Sequence, residues 1–121
     1  MSFWVWVGVA LLGGAGAIAR FALDGAIGAR AGGSFPVGTL AVNLSGALAL
    51  GLVTGLALTG NALVLLGTAT IGSYTTFSTW MLESHRLTED LEIPLALLNV
   101  ALSLLAGVSA AALGRLLGAH L

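Results

Sequence analysis

"GSYTTFSTW", Gly72 to Trp80, puts five serine and threonine hydroxyls, one phenol and two further aromatic rings into nine residues of a chain that is otherwise almost all Leu, Ala, Val and Gly. Gly72 and Ser73 stand in the middle of an apolar run. Hydroxyl side chains compete for backbone hydrogen bonds, so the expected local event there is a break in a helix. A break frees carbonyls, and within a bilayer these must find protein, water or an ion, as in transporters whose unwound segments hold sodium. If the helix resumes near Thr75 or Thr76, then Phe77 and Trp80 are i, i+3 neighbours on one face, with Thr76 and Thr79 together beside them. The alternative is an unbroken helix whose Ser and Thr side chains bond back to i−4 carbonyls.

The composition around this stretch decides its solvent. The chain has 121 residues, 58% hydrophobic and 7% charged, with a mean hydropathy of +1.06, whereas a soluble domain is about a quarter charged. It is a membrane protein. Its 18 glycines agree, because helices in lipid pack through small residues. There is no lysine, and four arginines face five acids, so a nucleic-acid partner has no electrostatic footprint. The absence of cysteine excludes disulfides, thiolate chemistry and Cys-based zinc sites. His85 and His120 sit at polar ends without a paired base or ligand set, which gives no footing for an enzyme. The opening "MSFWVWVGVALLGGAGAIARF" lacks a basic n-region and is too long and apolar for a secretory signal, so it reads as a retained helix.

Four apolar segments follow, about 3–23, 37–58, 62–82 and 94–117, each near the ~20 residues needed to cross a bilayer. The expected fold is an all-α membrane protein, one domain over 1–121 with four transmembrane helices and the break in the third. Pro36 and Pro94 each suit a helix start. The connection "ESHRLTEDLEIP" is the polar cap, with Glu83, His85, Arg86, Glu89, Asp90 and Glu92. Arg20, Arg30 and Arg86 fall with the first and third connections and only Arg115 with the termini and the second, a thin bias that leaves orientation weakly specified. Such a chain can insert both ways.

"GAGAIA", Gly14 to Ala19, fits a loose dinucleotide-binding pattern but lacks the following acid and the βα alternation that pattern needs. "NLS" at Asn43 to Ser45 is a formal glycosylation sequon inside an apolar span, not a surface loop. Arg20 reads first as a structural helix-end anchor. Asn43 shares an i, i+4 stripe with Ala47, Gly51 and Gly55, and Asn99 starts a similar one with Ser103, Gly107, Ala111 and Arg115. A polar track beside a small-residue track suits two helices lining a narrow wet path.

Together "GGAGAIARF", "GTLAVNLSG" and "GSYTTFSTW" resemble, in order and over nearly the whole chain, the helix signatures of the Fluc (CrcB) fluoride channels. The resemblance implies an antiparallel, dual-topology homodimer in the prokaryotic inner membrane, with two fluoride pores and a structural sodium ion at the two-fold axis. By position it implies that the backbone carbonyls of Gly72 and Thr75 hold the sodium. Phe77 and Trp80 then fall on the two pore phenylalanines and Asn43 on the pore asparagine. Asn99 and Ser103 fall on the helix-four polar track, with Thr76, Ser78 and Thr79 as neighbouring hydroxyls. Trp80 departs from the usual phenylalanine and Ser73 from a common glycine, and Gly107 gives no hydroxyl where some members have one. The chemistry agrees, since a strongly hydrated small anion needs replacement donors and an aromatic ring edge is positive without being charged. The competing reading, a small four-helix proton-coupled drug exporter, needs a titratable group in mid-membrane, and no acid lies between Asp24 and Glu83.

Overall fold

Ser2 starts the first helix by accepting the Val5 N–H on its hydroxyl (3.3 Å). In the computed structural model, which describes residues 1–121, helix α1 runs Phe3–Ala31. It continues well past Leu23, where the apolar run stops. Asp24, Gly25 and Gly28 stay helical because nothing in that stretch removes an N–H or forces another conformation, and the chain turns only at Gly32 and Gly33, with φ of 63° and 74°. The first connection therefore shrinks to a few residues. Pro36 stands just outside α2 (Val37–Gly55) and accepts the Leu40 N–H (3.2 Å).

The third run is segmented: α3 (Gly60–Ala62), a nine-residue π-helix π1 (Leu63–Ile71), α4 (Gly72–Tyr74), a gap, and α5 (Ser78–Glu89). Ser73 does not break the helix. Its hydroxyl donates back to the Ala69 and Thr70 carbonyls (2.7 and 3.1 Å), and Gly72 is helical at φ −59°, ψ −38°. The interruption comes at Thr75, extended at φ −83°, ψ 160°, and the helix resumes at Ser78, later than Thr75 or Thr76. The final helix, α6 (Ile93–Ala119), carries Pro94 in its first turn.

The chain is all helix with no strand. Three helices, α1, α2 and α6, are long and apolar enough to cross a membrane. With only 15 of 121 residues buried, most large apolar side chains face outward, toward lipid or another subunit rather than into a core. The most extensive packing is α2 on α6. Gly51 and Gly55 lie against the backbone of Ala111 and Arg115, and Gly114 lies against that of Leu48, so the two axes approach as closely as glycine permits. Gly16, from the "GAGAIA" stretch, lets α1 touch Ser73 and Thr70. That glycine serves packing.

Candidate pore-lining site

Asn43, on α2, sets the geometry of the break. Its Oδ1 accepts the Thr76 N–H (2.9 Å) and its Nδ2 donates to the Thr76 carbonyl (2.8 Å), so one side-chain amide pairs with the backbone as a neighbouring strand would. In a continuous helix the Thr76 N–H would bond to Gly72. Diverted to Asn43, it leaves the Gly72 carbonyl without a backbone donor, and the Thr75 carbonyl has none either. Arg20, from α1, takes up the next freed group, its Nε donating to the Ser73 carbonyl (3.2 Å). The Thr76 hydroxyl accepts the Thr79 N–H (3.2 Å) and so caps the first turn of α5. The unwound residues are thus held from two other helices and from below.

Two hollows meet at this knot and a third lies beyond them. One of about 340 Å³ is lined by Asn43, Gly72, Thr75, Thr76, Phe77, Trp80 and Ser103, among others. A second, of about 270 Å³, lies on the other side of Thr76 and is lined by Arg20, Asp24, Thr39 and Thr79. A third, of about 390 Å³, shares Asp24 with the second and adds Glu83, Arg86 and Asp90 at the polar end. Shared residues put them in series. Phe77 is 69% exposed and meets Trp80 edge-to-face, ring centres 5.7 Å apart and planes at 85°.

The structure therefore gathers Asn43, Gly72, Thr75, Thr76, Phe77, Trp80 and Ser103 around one hollow, and places Arg20 and Thr79 in the next. Ser78 is exposed and lines neither, although its hydroxyl lies 3.4 Å from that of Thr76. Asn99 lines neither as well. It is 1% exposed, donates from Nδ2 to Ser84 Oγ (2.8 Å) and accepts the Ser103 hydroxyl on Oδ1 (3.4 Å). Its amide is committed to protein.

Sequence reasoning missed Asp24, Thr39, Glu83 and Ser84. Thr39 stands one turn before Asn43 on the same face of α2, and Ser84 one turn after Trp80, so i, i+4 spacing carried both signals. Glu83 reads as part of a solvated cap, yet one of its carboxylate oxygens and the Thr39 hydroxyl are buried without a well-formed hydrogen bond. Burial raises the Glu83 carboxyl above the ordinary range, which the Asp24 charge reinforces and the nearby Thr39 hydroxyl and Arg86 oppose.

Residues 7–115 match the family described as CrcB-like protein, Camphor Resistance (CrcB). The chain is 55% identical over 111 residues to the fluoride-specific ion channel FluC 2 of Mycolicibacterium paratuberculosis, covering 92% of this chain and 91% of that one. It is 49% identical to FluC 2 of Mycobacterium tuberculosis strain H37Rv, covering 92% and 88% of the two chains. Identity to FluC 1 of Symbiobacterium thermophilum is 46% over 121 residues, at 95% and 96% coverage.

Proposed function

The chain belongs to the CrcB-like family, and from that premise we propose that it is a fluoride-selective passive channel of a prokaryotic inner membrane, working as an antiparallel, dual-topology homodimer that lets cytoplasmic fluoride out. The observation that carries this reading is the knot at Thr76. One asparagine amide holds the unwound backbone open beside an edge-to-face aromatic pair and a row of hydroxyls. That set offers an anion many weak donors and no fixed counter-charge at the narrowest part, so it replaces hydration without trapping the ion. Fluoride enters from the polar end past Arg20, whose charge favours an anion, and passes Thr79 and Thr76. It then meets the ring edges of Phe77 and Trp80, and Ser103, whose hydroxyl serves the ion only by exchanging its long bond to Asn99 Oδ1 (3.4 Å) for one to the anion. Asn43 keeps one amide hydrogen beyond the one given to Thr76, and that hydrogen is a direct donor to the ion.

The Gly72 and Thr75 carbonyls suit a sodium ion, because neither has a backbone donor and both residues border an open hollow. Such an ion supplies the charge that carbonyl dipoles from two subunits need in order to approach one another. Export needs no pump. A cell interior negative by about 100 mV favours exit of a monovalent anion by about 2.3 kcal/mol, roughly a fiftyfold concentration ratio. The test is the purified chain in liposomes, with fluoride efflux recorded against chloride efflux. Rapid fluoride release with little chloride release is expected, and equal release of both ions overturns the reading.

A further inference from the structure

Trp80 stands in a closed loop of hydrogen bonds that joins α5 to α6. Its indole Nε1 donates to the Asn99 backbone carbonyl (3.1 Å). Asn99 Nδ2 donates to Ser84 Oγ (2.8 Å), and Ser84 Oγ donates to the Trp80 backbone carbonyl (2.9 Å). Asn99 is 1% and Ser84 7% exposed, so water does not compete for these bonds. Of the three residues in the loop only Trp80 borders the hollow.

An indole carries one strong donor, its N–H, and a rim of weakly positive C–H edges. Left free beside an anion path, that N–H would bind whatever anion arrived, and tight binding slows exit. Here the donor is occupied by a carbonyl of the next helix. The ring then offers the hollow only what a phenyl ring offers. We propose that Ser84 and Asn99 are positioning residues which, by fixing α5 against α6, keep the Trp80 N–H engaged with the Asn99 carbonyl, so that the indole meets the permeating anion by its C–H edge alone. The proposal rests on the channel reading above and concerns how one ring is used within it. Neither residue touches the ion. They act through the direction of the indole.

The test is a rescue. Ser84→Ala removes the middle of the loop, lets the indole turn, and is expected to slow fluoride efflux about tenfold and to lower discrimination against chloride. In a Trp80→Phe background no N–H exists to be released, so adding Ser84→Ala is expected to change efflux by less than about twofold. Asn99→Leu breaks the same loop from α6 and should show the same dependence on the indole. It carries the test if Ser84→Ala does not give a monodisperse protein. A second readout needs no transport. With Trp4 and Trp6 replaced by Phe, Trp80 is the sole tryptophan, and Ser84→Ala should raise its quenching by acrylamide. If the loop variants lose as much efflux without the indole as with it, or if Ser84→Ala conducts and quenches as wild type does, the proposal fails. If the wild type carries no fluoride, the channel reading fails first, and the quenching comparison still decides whether the loop holds the ring.

Discussion

At the scale of single residues, the site depends on side chains that imitate backbone. Asn43 satisfies an N–H and a carbonyl of Thr76 at once, and each such bond contributes about 1 kcal/mol, more where water is excluded. Asn43→Asp keeps the acceptor, removes the donor and sets a carboxylate against the Thr76 carbonyl. Fluoride efflux should fall at least about tenfold in liposomes. Asn43→Leu loses both bonds and should also lower the melting temperature, which separates the structural loss from the loss of a donor. Phe77 is a different case, exposed over 69% of its surface, so its ring supports little of the chain's own packing. Phe77→Ile keeps apolar bulk and removes the positive edge. Efflux should collapse while the elution volume and melting temperature stay close to wild type, and unchanged efflux would take the ring out of the mechanism.

At the scale of elements, the close approach of α2 and α6 is set by backbone meeting backbone. A Cβ on Gly114 would run into the Leu48 carbonyl, which cannot rotate away as a flexible side chain would. Gly114→Ala must therefore separate the helices and should lower thermal stability by about 1 to 3 kcal/mol, whereas Gly25→Ala, helical and with open space around it, should raise it by about 0.5 to 1 kcal/mol. Thermal unfolding of the two variants in one detergent checks the contrast. Much of this level was legible beforehand. Hydropathy located the apolar runs, and the i, i+4 stripes found Gly51 and Gly55 on α2 and their partners Ala111 and Arg115 on α6, but not Gly114 or Gly118; Gly107, which the second stripe did include, has open space around it. The break was legible in kind and misplaced by a few residues. Ser73 and Thr75 bond back to their own helix, while the N–H that leaves it belongs to Thr76 and goes to Asn43, 33 positions earlier. A long-range partner of that sort leaves no local signal. The same holds for Asn99, whose stripe with Ser103 suggested a wet path, until Ser84 on another helix took its amide. The end of α1 was hidden for the opposite reason, since polarity begins at Asp24 but helix geometry fails only at Gly32.

At the scale of the whole molecule, the arginines govern which way the chain sits in its membrane. The arginine count favours one side by three to one in sequence, but Arg20 gives its Nε to the Ser73 carbonyl inside the bundle. Orientation is set by charges near the ends of spans and in short loops. With Arg20 engaged within the protein, Arg30 and Arg86 stand against Arg115, two to one. Reporters fused to the C-terminus should therefore reveal both orientations in one membrane. The stronger test forces each orientation in turn. Thr59→Arg with Asn61→Arg adds charge to exposed positions on the side of the termini, and Arg115→Gln with Glu89→Arg moves it to the other side at positions that are also exposed. Each variant alone should insert one way and give membranes with little fluoride efflux, because an antiparallel partner is missing. Expressed together they should pair and restore it. Efflux from either variant alone at the wild-type rate, with a single orientation confirmed by the reporter, would mean that the pore is complete without an inverted copy. The exposed face of Phe77, the open hollow beside Gly72 and the free carbonyls would then have to be covered by a parallel neighbour or by lipid.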